Sequence, residues 1–178
     1  MSLFTATLLL AVILLTVGGL LLWNGKPVSQ FALKSLRSKG LALLTFGAGA
    51  AWFLYKISQL GEADFGNYKT PLLLAFSSVA VLSWFFLPDF LGVRGLCILI
   101  LMCAPLFLQA AYMEEPLSRL LMVSFVYLCI VIALYLGALP YRLRDFFKWL
   151  FTRRKRVGLL GAILFFYGLL LVGAAFSY

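Results

Sequence analysis

Six apolar runs, each about as long as a bilayer's hydrocarbon core is thick, constrain this chain more than any other feature. A helix needs about 20 predominantly apolar residues to cross that core. The spans lie approximately at residues 3–23, 41–60, 71–87, 95–113, 117–139 and 157–176. Because 64% of the residues are hydrophobic and only 12% are charged, little sequence is left for a soluble domain. The sequence therefore predicts an all-α, polytopic integral membrane protein, with residues 1–178 forming a single membrane domain.

The segment between the fifth and sixth runs, residues 140–156, reads PYRLRDFFKWLFTRRKR. Leu143, Phe146, Phe147 and Leu150 recur at helical spacing, which predicts an amphipathic helix over about residues 141–151. Such a helix lies at the cytoplasmic interface, with its rings towards lipid and its cations towards the headgroups. Its candidate headgroup-binding residues are Arg142, Lys148, Arg153, Arg154, Lys155 and Arg156. Anionic membrane lipids are therefore expected partners, although a signal for membrane orientation explains the same cations.

The distribution of Lys and Arg predicts how the spans are oriented. With both termini outside, only Lys56, Lys69 and Arg119 of the 15 cations fall on the non-cytoplasmic side. Membrane proteins carry an excess of Lys and Arg in their short cytoplasmic loops. We therefore expect both termini on the non-cytoplasmic side of the bacterial inner (plasma) membrane. These flanking cations account for the net charge of +9, so nucleic acid is not an expected partner.

Side chains that support chemistry at depth in a membrane are scarce. Histidine is absent, and the three cysteines lie inside apolar runs, where Cys is usually a small apolar filler. Proton and ion relays need ionisable groups in the middle of a span, and no predicted span has one there. We therefore predict no enzymatic activity, metal site or cofactor. The acidic pairs Glu62/Asp64 and Glu114/Glu115 are interpreted as solvated loop charges, with a divalent-cation site as the alternative.

Small residues on two of the spans predict close helix packing. The candidate packing residues are Gly47 and Gly49 in the second span, and Gly158, Gly161 and Gly168 in the sixth. These surfaces, the many aromatic residues and the lack of reactive groups favour a non-catalytic accessory or scaffold protein. Such a protein would pack against itself or against other membrane proteins.

The alternative function is a small channel or facilitator for a neutral or weakly polar solute. Its path would be lined by the polar residues within the spans, which are Ser77, Ser83, Gln109, Ser124 and Tyr127. Either function requires the same six-helix bundle. They differ in whether that bundle encloses a polar cavity.

Overall fold

The computed structural model describes residues 1–23, 28–29, 33–34, 36, 38–61, 65–86 and 90–178. Within these residues the chain forms seven α-helices and no strand, which confirms the all-α class. The helices are α1 (Leu3–Trp23), α2 (Lys39–Ser58), α3 (Lys69–Phe86), α4 (Leu91–Ala110), α5 (Arg119–Ala138), α6 (Tyr141–Phe151) and α7 (Arg154–Ala175). A short 3₁₀ turn, Gly66–Tyr68, precedes α3. The charged residues Lys26, Arg37, Glu62, Asp64 and Asp89 lie outside the described residues.

Six of these helices are long and apolar enough to cross a membrane, as the sequence predicted, whereas α6 has only 11 residues. Four spans begin earlier than expected: α2 at Lys39, α3 at Lys69, α4 at Leu91 and α7 at Arg154. The left-handed backbone of Phe90, with φ of 58°, separates α4 from the preceding segment. Helical structure continues into the polar flanks because backbone groups left unpaired near lipid are costly.

Helices α1 and α7 form the most extensive contact between any two described helices. They run antiparallel, since the ring of Phe4 near the start of α1 meets that of Phe176 just after α7, with centroids 5.7 Å apart. Further along, Gly18 lies against the backbone of Gly161 and Phe165. Glycine at this crossing allows the two backbones to approach closely. The antiparallel pair places both chain termini at the same end of the bundle.

A second close pair is formed by α2 and α4. Gly95 of α4 packs directly on the backbone of Phe46, and Gly49 of α2 packs on the side chain of Ile98. The Thr45 hydroxyl donates a hydrogen bond of 3.0 Å to the carbonyl oxygen of Gly92. Helix α5 then packs on α4 and connects the two pairs through a core of buried apolar side chains.

Helix α6 lies at the end of the bundle opposite the termini. Leu150 is only 3% exposed, and Leu143 and Phe147 pack against a buried cluster that includes Val93 and Ala133. The side chains of its polar positions, Arg142, Asp145 and Lys148, are exposed. Helix α6 is therefore attached to the bundle along one side, and its charged side is open.

Helix α3 is the most loosely held of the six long helices. All of its residues are described, and none of them is buried. Its most extensive helix contact is with α2, where the rings of Phe53 and Phe76 meet edge to face with centroids 5.0 Å apart. This loose attachment leaves a gap between α3 and the α2–α4–α5 part of the bundle.

Candidate functional site

The gap beside α3 is a cavity of about 510 Å³, which we call the Arg94 groove. Helices α2, α3, α4 and α5 all contribute to its walls. Its lining residues are Phe46, Ala50, Phe53, Leu54, Phe76, Val79, Ala80, Ser83, Arg94, Cys97, Ile98, Leu101, Met102, Ala133, Leu134 and Gly137. All but three of them are apolar or glycine, the exceptions being Ser83, Arg94 and Cys97. Such a volume falls within the range of about 300–1,000 Å³ that is usual for small-molecule sites.

Arg94 supplies the positive charge of the groove. It lies in the first turn of α4, at the end of the bundle where α6 packs. Its side chain is partly buried, and within the described part of the chain its Nε has no hydrogen-bond partner. A buried donor left unpaired costs about 1–3 kcal/mol, and more when the group is charged. An ionisable side chain so placed in a membrane protein is therefore a functional-site candidate.

The groove extends from Arg94 towards the middle of the bundle. Its deepest lining residue on α4 is Met102, eight residues further along, which corresponds to about 12 Å of helix. On the α3 side, the wall runs from Ser83 near the cationic end to Phe76 at greater depth. The groove is therefore polar at one end only, and its inner part offers apolar contacts.

The five residues of the postulated solute path do not converge. Ser83 lines the Arg94 groove, whereas Ser77 lies partly buried on the same helix. Gln109, Ser124 and Tyr127 are exposed on α4 and α5. Around the α1–α7 pair, Thr7 is the one buried polar side chain among the described residues, and apart from the Tyr178 hydroxyl, 3.2 Å away, its surroundings are apolar. The described residues therefore form no continuous polar path from this set.

The five candidate packing glycines fall into two groups. Gly49, Gly161 and Gly168 each lie against a neighbouring helix, so that an added Cβ would meet its atoms at about 2.9–3.1 Å. At Gly47 and Gly158, an added Cβ would find no atom within 4 Å in the described structure. Gly18 and Gly95, which make the closest backbone approaches between two described helices, were not among the predicted packing residues.

A sequence signal for these two glycines does exist. Gly18 belongs to a Gly-Gly pair inside an apolar span, and Gly95 follows Gly92 at a spacing of three residues. Residues three or four apart share one face of a helix. Gly95 was predicted to begin span four and Arg94 to lie in the preceding turn. Gly92 and Gly95 were therefore not recognised as two residues on one face of the same helix.

The candidate headgroup-binding cations lie on α6 and the start of α7. Arg142, Lys148, Arg153, Arg154 and Lys155 are exposed. The side chain of Arg156 instead contacts Trp149 of α6. Its Nη1 donates to the carbonyl oxygen of Trp149 at 2.9 Å, and its guanidinium lies 4.3 Å from the centroid of the Trp149 indole ring. This contact joins the end of α6 to the first turn of α7.

No protein-family model, curated protein or solved structure matches this chain.

Proposed function

We propose that this chain is a non-catalytic accessory or scaffold protein of the bacterial inner membrane, which packs against copies of itself or against other membrane proteins. The observation that supports this proposal is the outer face of α3. Leu74, Ser78, Val81 and Phe85 follow one another at spacings of four, three and four residues. They lie on the side of α3 opposite the residues that line the Arg94 groove, as the helical period requires.

Large apolar side chains on this face are open, with Leu74, Val81 and Phe85 exposed by 66%, 57% and 73%. A stripe with this spacing is the seam that helices use to pack side by side. In lipid, helices associate through close packing and not through the hydrophobic effect. A span with few internal contacts, such as α3, therefore gains the most packing from a partner helix.

We further propose an orientation in which the end that carries α6 faces the cytoplasm. The exposed cations of α6 and of the start of α7 would then lie among anionic headgroups, with both termini on the opposite side. Tyr141, Phe146 and Trp149 are exposed on α6. Aromatic rings of this kind are enriched at the membrane interface, which supports an interfacial position for this helix.

The packing proposal is tested by photo-crosslinking in intact membranes. Val81 on the outer face of α3 is replaced by a photoreactive amino acid. The matched control is Val131 on α5, which has a similar exposure of 63%. We expect defined higher-mass adducts from position 81 and none from position 131. If both positions gave only monomer, and the protein purified in mild detergent as a lone monomer with nothing bound, the proposal would be wrong.

A further inference from the structure

We propose that the Arg94 groove binds an anionic membrane lipid, with its phosphate on the Arg94 guanidinium and one acyl chain along the apolar walls. This inference goes beyond the accessory role, and it does not depend on any protein partner. It is drawn from three features of the groove: its charge, its lining and its depth.

The charge of Arg94 favours an anionic occupant. A guanidinium presents its N–H donors in a planar fork that matches a phosphate bidentately. The buried Nε has no hydrogen-bond partner in the described structure, so the charge of Arg94 is not compensated through that donor. A neutral solute would leave the charge uncompensated in a mostly apolar cleft, which is unfavourable.

The lining and depth of the groove match an acyl chain. Beyond Ser83, Arg94 and Cys97, the walls consist of Phe, Leu, Ile, Val, Met, Ala and Gly, which offer no further charge for a polar solute. The distance of about 12 Å from Arg94 to the deepest lining residue is close to half of the roughly 30 Å hydrocarbon core. A lipid with its phosphate at Arg94 would therefore extend its chain to about the bilayer midplane.

One wall of the groove is formed by α3, none of whose residues is buried. On its groove side, α3 presents Phe76, Val79, Ala80 and Ser83, of which the last two, towards the Arg94 end, are small. A lipid can therefore enter from the side of the bundle without disrupting either of the two closely packed helix pairs.

Native mass spectrometry of the full chain in a neutral detergent tests this inference. The protein is titrated with phosphatidic acid, and separately with phosphatidylcholine that carries the same acyl chains. We expect one phosphatidic acid molecule to bind at least about tenfold more tightly than phosphatidylcholine. The phosphate of phosphatidic acid carries a net negative charge for Arg94, whereas the choline cation of phosphatidylcholine offsets the charge of its phosphate and is repelled by the guanidinium. Equal affinity for the two lipids would overturn the assignment of the headgroup to Arg94.

Two variants locate the site. Arg94→Gln is expected to abolish the preference for phosphatidic acid. The matched control is Arg144→Gln, which removes the same charge from a partly exposed side chain that pairs with Asp145 at 2.9 Å, and this variant should keep the preference. A loss of the same size in both variants would attribute the binding to the general positive field, and the inference would be wrong.

A third variant, Gly137→Leu, blocks the groove while keeping Arg94. Gly137 lines the groove, and an added Cβ would lie 3.9 Å from the Cβ of Cys97, an ordinary contact. The affinity for phosphatidic acid should therefore fall about tenfold or more while the protein stays folded. This variant tests the site even if Arg94→Gln fails to fold. Undiminished binding in Gly137→Leu would overturn the placement of the acyl chain. Displacement of the lipid by an equal concentration of inorganic phosphate would show instead a site for the free anion, which also contradicts the inference.

Discussion

Substitution of Gly18 by Ala is the sharpest test of the α1–α7 crossing. An added Cβ at this position would lie 2.7 Å from the backbone nitrogen of Phe165 and 2.9 Å from the carbonyl oxygen of Gly161, whereas ordinary contact begins at 3.4 Å. Both of these neighbours are backbone atoms of α7. They cannot rotate away as the end of a flexible side chain can, so the two helices must separate locally.

The expected cost follows from two opposing terms. Overpacking of a close contact costs about 1–3 kcal/mol, whereas Ala is favoured over Gly inside a helix by about 1 kcal/mol. The next residue, Gly19, is a matched control, because within the described structure an added Cβ there would meet no atom within 4 Å. Gly19→Ala should therefore be neutral or slightly stabilising. The two variants should differ by about 2 kcal/mol, or about 30-fold in the ratio of folded to unfolded protein.

Reversible unfolding in mixed micelles with a denaturing detergent, followed by tryptophan fluorescence, measures this difference. Gly18→Ala should unfold at a lower fraction of denaturing detergent than the wild type, and Gly19→Ala at an equal or higher fraction. If Gly18→Ala proved as stable as Gly19→Ala, the two helices would not be packed backbone to backbone at this position.

Three further predictions concern the second helix pair, the buried hydroxyl and the orientation. Gly95→Ala should destabilise the protein by about 1–2 kcal/mol in the same unfolding assay, because Gly95 lies on the backbone of Phe46. Gly47→Ala, the control, should have no such effect. Equal stabilities of the two variants would contradict the α2–α4 packing. Thr7→Val should cost about 0.6–1.7 kcal/mol, since the Thr7 hydroxyl lies 3.2 Å from that of Tyr178 and 3.5 Å from the sulfur of Met122. Thr16→Val, whose hydroxyl bonds to the carbonyl oxygen of Ile13 on an exposed face, should cost less. In intact cells, a membrane-impermeant thiol reagent should label Glu115→Cys and not Lys155→Cys, and the reverse pattern would invert the proposed orientation.

The sequence was sufficient to predict the number and approximate position of the long helices. A helix satisfies its own backbone hydrogen bonds, and in a bilayer this requirement applies to each apolar run separately. Length and composition therefore identify a span without knowledge of its neighbours. The boundaries are less well determined, as α4 demonstrates, because the left-handed residue Phe90 and the polar first turn of that helix lie outside the apolar pattern.

Which faces meet was decided only by the tertiary structure. In a soluble protein the buried face of a helix is apolar and the outer face is polar, but here both faces are apolar, so the pattern carries little information about packing. Glycine spacing is an incomplete guide for the same reason: Gly161 lies at a crossing and Gly158, one turn earlier, does not. The position of Arg94 in the wall of the groove was also decided by packing. A single cation next to an apolar run looks the same in the sequence whether its side chain reaches solvent or lines a groove. Membrane topology is a local property of each span, whereas a site formed by four helices depends on how they pack together.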